Sequence, residues 1–278
     1  MGLGGYLTWT ALAREIQKTV SFPIRILPIE RHGSFIKLVF SDAFKNNPII
    51  SQELSDLSNN SFPVEMNNPK TNYCIKDTPG HALHKCDNHI IETICKAYGI
   101  DHPQLKCELF LDDSEEKYAD ELVSNLNNFI VIEPYSKDNY TPNRAYPLPK
   151  WQQVVNKIST SVSVVQVGVE GSPVLDSVID LTGKTTFREA SAVIKRSLMF
   201  VGSEGGLVHA ATAVDTPAVV VITGYQSSKM VAYPQNINID ISTHGPCGMK
   251  IKCADCEKDA SMHDPTEIST AILENLKI

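Results

Sequence analysis

The chain lacks the long apolar runs and the basic-then-apolar opening that membrane insertion and secretion require. No stretch of the sequence reaches the ~20 apolar residues of a bilayer-spanning helix. The opening, MGLGGYLTWTALAREIQK, has no basic segment followed by an apolar one, so it is not predicted to be a secretory signal. These two absences predict a cytoplasmic protein.

An excess of positive charge is also missing, because the formal net charge is −7 at pH 7. A broad nucleic-acid-binding face is therefore not expected. Hydrophobic residues make up 42% of the chain and charged residues 21%, which is ordinary globular usage and argues against a disordered chain or a fibre. The 278 residues suffice for one large domain or two modest domains.

Strand and helix patterns alternate through the second half of the chain. Apolar runs predict buried strands at Phe129–Glu133, Val162–Val167, Leu198–Val201, Ala218–Ile222 and Ile237–Ile241. The pattern Thr186-x-x-Glu189 is a capping box that begins a helix, and Asp264-Pro265 begins the last helix. This alternation predicts a doubly wound parallel sheet that binds ligands at the carboxyl ends of its strands.

The first half of the chain has a less regular pattern. Helices are predicted at Leu7–Lys18, His89–Tyr98 and Ser114–Asn125, and strands at Ile24–Pro28, Ile36–Phe40 and Lys106–Leu111. Residues 43–71 are rich in Asn, Ser and Pro and predict loops or short helices. The chain is predicted to divide near Asn127–Asn128, into domains of residues 1–127 and 128–278.

The most informative segment is the glycine-rich turn Gly202–Gly206, which follows one predicted strand and begins a helix. Gly205 and Gly206 allow a ligand to approach the backbone closely, and the first N–H groups of the helix have no partners within it. Such a helix start favours a pyrophosphate. On glycine spacing alone, an ordinary strand–turn–helix unit is the more common interpretation, as is a structural, hydrogen-bonded role for His209.

This segment, SEGGLVHAATAVDTP, resembles the signature of glycosyltransferase family 9, the heptosyltransferases of the lipopolysaccharide inner core. The matching positions are Glu204, Gly205, Gly206, His209, Ala211, Thr216 and Pro217. Two positions depart from the family pattern, because Glu204 replaces the usual Asp and Thr212 interrupts an alanine run.

Two upstream segments extend the resemblance over most of residues 129–224. Asn143–Gln152 resembles the family's Asn-Lys-x-Trp-Pro segment, and Arg144 takes the position of the basic residue that contacts the donor phosphate. Asp180–Glu189 resembles a further family segment. The resemblance implies a GT-B fold of two Rossmann-like domains, with the nucleotide sugar held mainly by the C-terminal one.

The resemblance also implies an inverting displacement, in which an acceptor hydroxyl attacks the sugar and a nucleoside diphosphate leaves. Arg144, Lys137 and the Gly205–Gly206 turn are expected to stabilise the leaving diphosphate, without a catalytic metal, and His209 joins them as a donor-binding residue. Glu204 either faces the sugar or holds the turn, and a helix-start acid that merely opposes the helix dipole is the equal alternative.

The opening of the chain departs from the family at the position of the catalytic base. GLGGYLTWTALAREI resembles the family's Gly-x-Gly-Asp opening, but Gly5 stands where the base is expected and the usual first strand is missing. The resemblance therefore implies a reduced N-terminal domain. Asp42 and His32, together with Glu30 and His81, are candidate replacements that no spacing selects. A relocated base, an acceptor that needs little deprotonation, and binding without transfer all stay open.

Three of the seven cysteines are clustered near the end of the sequence. Cys253-x-x-Cys256 has metal-ligand spacing, Cys247 lies six residues upstream, and His263, or else His244, is the expected fourth ligand. A structural zinc or iron ion there would clamp the loop before the last helix, and a comparable loop in some family members resembles an iron-binding finger. Reduced thiols without metal and a redox pair are the alternatives.

These observations lead to one main interpretation and two alternatives. The main interpretation is a glycosyltransferase that moves a sugar, with heptose among the candidates, from a nucleoside-diphosphate sugar to a glycan or other hydroxyl acceptor. The alternatives are a catalytically degenerate nucleotide-sugar-binding or assembly protein, and another GT-B enzyme such as a nucleotide-sugar epimerase. An incomplete N-terminal sheet favours a homo-oligomer.

Overall fold

The structure, a computed structural model, describes residues 2–53, 60–71, 74–75, 83–84, 88–135 and 140–276. Within these residues, no helix combines the length and the apolar character that crossing a membrane requires.

The first half of the chain builds a long helix and a small three-stranded sheet. Helix α1 (Leu3–Lys18) leads into β1 (Arg25–His32), which forms an antiparallel hairpin with β2 (Phe35–Leu38) and a parallel pair with β3 (Ser61–Glu65). The elements that follow are the ribbon of β4 (Cys74–Ile75) and β5 (Leu83–His84), then α2 (Ile90–Lys96) and α3 (Asp113–Val123).

The second half builds a six-stranded sheet with helices packed against it. Its strands are β6 (Phe129–Glu133), β7 (Ser163–Gln166), β8 (Ile179–Asp180), β9 (Phe200–Ser203), β10 (Ala218–Ile222) and β11 (Ile237–Asp240). Its helices are α4 (Leu148–Ile158), α5 (Phe187–Arg196), α6 (Gly206–Ala213), α7 (Ser228–Val231), α8 (Ala254–Met262) and α9 (Thr266–Asn275).

The strand order of this sheet is β11-β10-β9-β6-β7-β8, and neighbouring strands are parallel. The order reverses between β6 and β9. In sheets of this kind, a ligand binds in the crevice outside the carboxyl ends of the strands at that reversal. The predicted doubly wound parallel sheet is confirmed.

Local sequence explains where several of these elements begin. The five residues of β10 are all buried, so this strand is a continuous apolar run rather than an alternating one. The predicted capping box of α5 is present, because Thr186 and Glu189 each bond the other's backbone N–H. At the start of α9, the Asp264 carboxylate accepts the Thr266 N–H, which satisfies one of the unpaired groups of the first turn.

Two predictions for the first half are wrong. Residues 106–111 form no strand in the described part of the chain, because side chains of α1 bond their backbone in place of a neighbouring strand. Thr10 Oγ1 accepts the Glu108 N–H at 2.8 Å, and Arg14 donates to the Lys106 carbonyl at 2.9 Å. In addition, β3 lies in the segment predicted as loops or short helices, because it pairs with β1.

Apolar residues form a core on each face of the six-stranded sheet. One cluster joins Val131 and Val220 of the sheet to Leu7 and Leu12 of α1, so the first half covers this face. The other cluster packs α4 and α9 against the opposite face. The predicted division into domains near residue 127 stays a prediction.

A buried ion pair fastens α5 to the first half of the chain. Arg188 is 4% exposed and donates to Glu115 Oε1 at 2.5 Å and to Glu115 Oε2 at 2.8 Å. It also donates to the carbonyls of Asp42 and Phe110. Burial opposes ionisation of Glu115, but the hydrogen bonds from Arg188 and the backbone outweigh it and lower the pKa of the carboxyl.

Candidate functional site

The turn between β9 and α6 lies at the carboxyl edge of the sheet, beside the point where the strand order reverses. Gly205 is the N-cap of α6 and no side chain caps this helix, so its first N–H groups have no side-chain acceptor. Helix α1 begins against the same place, because a Cβ on Gly4 would lie 2.4 Å from the Cα of Gly206. Only glycine fits at residue 4, and the starts of α1 and α6 lie side by side.

Arg144 lies beside this turn, at the end of the 3₁₀ turn Pro142–Arg144. Its guanidinium lies over the rings of Tyr140 and Tyr225, at 5.3 Å and 5.1 Å from the two ring centroids. Nη2 also donates to Gln226 Oε1 at 2.9 Å. Stacking and hydrogen bonding together fix the orientation of the cation, while 22% of its side chain remains exposed.

Glu204 completes the surroundings of Arg144. Its Oε1 atom lies 3.7 Å from Arg144 Nε, and neither carboxylate oxygen has a hydrogen bond of normal geometry among the described residues. Burial raises the pKa of Glu204 to about 7, against the opposing effect of Arg144. The carboxyl group can therefore take up a proton near neutral pH. Glu204, Tyr140, Tyr225 and Gln226 together are called the arginine cage below.

His209 lies on α6 and is bonded to a buried hydroxyl. Its Nδ1 atom lies 2.6 Å from the Tyr233 hydroxyl, which is also 3.3 Å from Cys107 Sγ. The His89 ring packs edge-on against Tyr233. Burial lowers the pKa of His209 to about 3 and that of His89 to about 4, so both imidazoles are neutral at pH 7. The role of His209 in donor binding stays a prediction.

Helix α1 has no acid at the position expected for the catalytic base. Gly5 lies in its first turn, which contains no acidic residue. Asp42 is exposed at the start of a 3₁₀ turn whose other two residues are buried. His32 ends β1, with its Nε2 atom 3.6 Å from Glu30 Oε2. In the part of the chain that the structure describes, neither side chain is hydrogen-bonded or ion-paired to Arg144 or to its cage.

Side chains of Cys247, Cys253, Cys256 and His244 converge where the loop before α8 meets the first turn of this helix, and are called the cysteine cluster below. Cys256 Sγ lies 3.4 Å from Cys247 Sγ and 3.4 Å from His244 Nε2. The ligand atoms of His244, Cys253 and Cys256 all lie within 4.8 Å of one another. A hydrogen bond with Cys256 outweighs burial and lowers the pKa of the Cys247 thiol to about 6.

Three members of the cysteine cluster, His244, Cys253 and Cys256, are spaced as ligands of a tetrahedral metal ion are. Metal–sulfur bonds of ~2.3 Å would place tetrahedral ligands about 3.8 Å apart, close to the separations observed. His244 Nδ1 lies 2.9 Å from Asp259 Oδ2, and this carboxylate contact turns Nε2 toward Cys256, as second-shell partners of metal-bound histidines do. His244, Cys253 and Cys256 can therefore hold a metal ion, and Cys247 Sγ lies beside them, 3.4 Å from Cys256 Sγ.

His263 requires a correction, because it does not join the cysteine cluster. Its Nδ1 atom lies 2.8 Å from the Tyr146 hydroxyl and its Nε2 atom lies 3.2 Å from Glu267 Oε2. Both ring nitrogens are occupied at the junction of α8 and α9. The alternative, His244, is the histidine that lies beside the cysteines.

The chain matches one known protein family. Residues 81–260 match the sequence profile of glycosyltransferase family 9 (heptosyltransferase). Because this match covers more than half of the chain, the protein belongs to glycosyltransferase family 9. A comparison with curated protein sequences finds no match.

Several solved glycosyltransferase structures are similar to this chain. The family 9 glycosyltransferase from Veillonella parvula is similar over 100% of this chain and 95% of its own, with a TM-score of 0.69 and 11% identity. The ADP-heptose lps heptosyltransferase II of E. coli is similar over 99% and 96%, with a TM-score of 0.63 and 13% identity. The iron-containing dodecameric glycosyltransferase TibC, from enterotoxigenic E. coli, is similar over 99% and 73%, with a TM-score of 0.64 and 14% identity. At these identities the similarity defines the fold, and it confirms a GT-B-like α/β fold.

Family membership supports a glycosyltransferase that uses a nucleotide-sugar donor. The structure brings Arg144 and Glu204 together at the edge of the sheet where the Gly205–Gly206 turn lies, while Lys137 and His81 lie outside the described residues. Sequence reasoning missed Tyr140, Tyr225 and Gln226. A signal was available for the last two, because polar and aromatic residues directly after a buried parallel strand lie at the ligand-binding edge.

Proposed function

We propose that the protein transfers a sugar from a nucleoside-diphosphate sugar to a hydroxyl acceptor, with inversion at the anomeric carbon. The observation that supports this most directly is the fixed guanidinium of Arg144 beside the uncapped start of α6. ADP-heptose is the first donor to test, because a solved complex of TibC, a structure similar to this chain, contains ADP-D-β-D-heptose.

Arg144 and the start of α6 are proposed to act on the leaving diphosphate. Departure of the nucleoside diphosphate places negative charge on its terminal phosphate, and preorganised donors stabilise such charge. Arg144 supplies a cation that stacking already orients, and the first N–H groups of α6 supply neutral donors. Lys137 is proposed as a further cation, and His209 as a neutral donor-binding side chain. No catalytic metal is needed if these groups balance the charge.

The attacking hydroxyl also needs a proton acceptor. Gly5 cannot provide one, and we propose that the base comes from another loop, with Asp42 and His32 as candidates. The acceptor itself, whether lipopolysaccharide core, another glycan or a protein side chain, is not fixed by these residues.

A second function is favoured by one observation, the absence of any acid in the first turn of α1. It is a degenerate family member that binds a nucleotide sugar without transferring it. This function keeps the Arg144 site and removes the need for a base, so it predicts donor binding without turnover.

One experiment tests both functions on the purified full chain. Binding of ADP, GDP, UDP and CDP is measured by calorimetry, and release of diphosphate from the matching sugar nucleotides is then followed with candidate acceptors. Arg144→Ala should weaken binding of the preferred diphosphate ten- to a hundredfold, as loss of a charged hydrogen bond of about 1.5–3 kcal/mol predicts.

The matched control is Arg196→Ala, which removes an arginine of similar exposure (18%) on α5, and it should bind the nucleotide as the wild type does. Turnover with a sugar nucleotide supports transfer, whereas tight binding without turnover supports the degenerate function. Failure of the wild type to bind any nucleoside diphosphate contradicts both.

We also propose that the cysteine cluster holds a structural zinc or iron ion, with Cys247, Cys253, Cys256 and His244 as ligands. TibC, whose fold is similar, is iron-containing. Such an ion, when bound, would stabilise the loop before α8 and takes no part in sugar transfer. The expected location is the cytoplasm, and the expected state is a homo-oligomer, since TibC is dodecameric; light scattering tests the latter.

A further inference from the structure

The loop of residues 247–253, between the cysteines, is bonded to both sides of the arginine cage. On the first side, the Asn143 amide occupies three backbone groups of this loop. Its Nδ2 atom donates to the carbonyls of Met249 and Ile251, both at 2.8 Å, and its Oδ1 atom accepts the Cys253 N–H at 2.8 Å. Asn143 is 5% exposed and directly precedes Arg144.

On the second side, the loop bonds the segment that follows β10. The Gly248 N–H donates at 3.1 Å to the carbonyl of Tyr225, whose ring lies under Arg144. The two sides are joined by a hydrogen bond of 2.7 Å from the Thr223 hydroxyl to the Asn143 carbonyl. The backbone on each side of the guanidinium is therefore tied to the same loop.

The cysteine cluster packs directly against this segment. The Cys247 N–H donates to the Gly224 carbonyl at 2.9 Å. Gly224 has a φ of +90°, and a Cβ there would lie 2.7 Å from Ser242 Oγ and 3.1 Å from His244 Cε1. Only glycine allows His244 to approach so closely, so the cysteine cluster packs against the residue that directly precedes Tyr225 of the arginine cage.

We infer that Asn143 is a positioning residue. When the loop of residues 247–253 is ordered, its hydrogen bonds with Asn143 fix the backbone that holds Arg144, and the loop thereby sets the affinity of the protein for the donor diphosphate. A cation binds phosphate more tightly when its orientation is fixed before binding, because less ordering has to occur on binding. Asn143 fixes the backbone turn from which Arg144 extends, and it does so without touching the ligand. This inference rests on the proposed nucleotide site.

The test is a double-mutant cycle on the full chain, with ADP as the probe and calorimetry as the measurement. Asn143→Ala should weaken ADP binding about tenfold. In an Arg144→Lys background it should weaken binding less than about threefold, because lysine cannot stack as a planar cation between two rings and has already lost the orientation that Asn143 provides. A merely structural role would give the same loss in both backgrounds.

The matched control is Asn238→Ala. Asn238 Nδ2 also donates to two carbonyls, those of Tyr233 and Asn236, but it lies on β11 and away from the loop. Its loss should leave ADP binding within twofold of the wild type.

A milder variant, Thr141→Val, removes the bond from the Thr141 hydroxyl to the Met249 carbonyl and the 3.2 Å bond that this hydroxyl accepts from the Asn143 N–H, while it leaves the Asn143 amide in place. Thr141→Val replaces Asn143→Ala as the test if the latter fails to fold, and it should weaken ADP binding two- to threefold. Each of three results overturns the inference. They are full additivity of Asn143→Ala with Arg144→Lys, unchanged ADP binding in both Asn143→Ala and Thr141→Val, and an equal loss of binding in the control Asn238→Ala. A wild type that binds none of the four diphosphates instead overturns the proposed function.

Discussion

Replacing Glu204 by glutamine should make the stability of the protein much less dependent on pH. The Glu204 carboxyl is buried, and burial raises its pKa from the ordinary 4.5 to about 7. Between these two values the folded protein binds a proton that the unfolded chain releases, so the free energy of unfolding falls as the pH rises. Glutamine keeps the shape of the neutral acid and does not titrate.

The size of the effect follows from the two pKa values. The difference between 4.5 and about 7, at about 1.4 kcal/mol for each tenfold change in proton affinity, corresponds to about 3 kcal/mol in total. Most of this is lost between pH 5 and pH 8. The free energy of unfolding of Glu204→Gln minus that of the wild type should therefore rise by about 2–3 kcal/mol from pH 5 to pH 8. Below pH 4.5 this difference should change little.

The assay is urea unfolding of both proteins at several pH values, without nucleotide. Glu121→Gln is the control, because Glu121 is 63% exposed on α3 and its replacement should change stability by less than about 0.5 kcal/mol at every pH. A difference between Glu204→Gln and the wild type that stays constant from pH 5 to pH 8 would refute the argument. Glu204 would then be ionised in the folded protein as it is in water.

Two further predictions concern the α5 contact and the cysteine cluster. Arg188→Met should destabilise the fold by about 3–5 kcal/mol in urea unfolding, because it leaves a buried carboxylate without its partner; Lys195→Met, which removes a half-exposed ion pair on the same helix, should cost less than about 1 kcal/mol, and equal losses would contradict the reasoning. His244→Gln should lower the zinc or iron content of the purified protein at least tenfold by elemental analysis, whereas His263→Gln should leave it unchanged; the reverse result would restore the ligand expected from spacing.

Much of the second half of the fold is predictable because its elements are defined by short-range patterns. Ala218–Ile222 is an apolar run of five residues, and the strand has these bounds. Thr186 and Glu189 form a capping box whose partners are three residues apart. Local chemistry of this kind needs no knowledge of the tertiary structure.

The wrong or missing predictions involve partners that are distant in sequence. Residues 106–111 have the pattern of a strand, but their backbone bonds are made by side chains that lie more than 90 residues away on α1. Helix α8 has a weak apolar stripe, because only Cys256, Asp259 and Ala260 are buried along it. Periodicity therefore gives no signal for it.

Prediction of the candidate site from the sequence is limited in the same way, by partners that are distant along the chain. Arg144 is identifiable from its motif, but Gln226, which orients it, lies 82 residues further along the chain. His244 and His263 have equally acceptable spacing from the cysteines, and only the three-dimensional structure separates them. Spacing defines which residues are available as ligands, whereas the packing of α8 and α9 decides which one is used.

The contact between Gly4 and α6 brings two helix starts to one place. Each start carries roughly half a positive charge, neither has a side-chain cap, and neither first turn contains an acid. The two ends therefore repel each other in the absence of an anion, and a bound diphosphate would relieve this repulsion. Binding of a donor at the proposed site would therefore be thermodynamically linked to the docking of α1 against the sheet, and the donor should stabilise the packing of the first half of the chain as well as its own site.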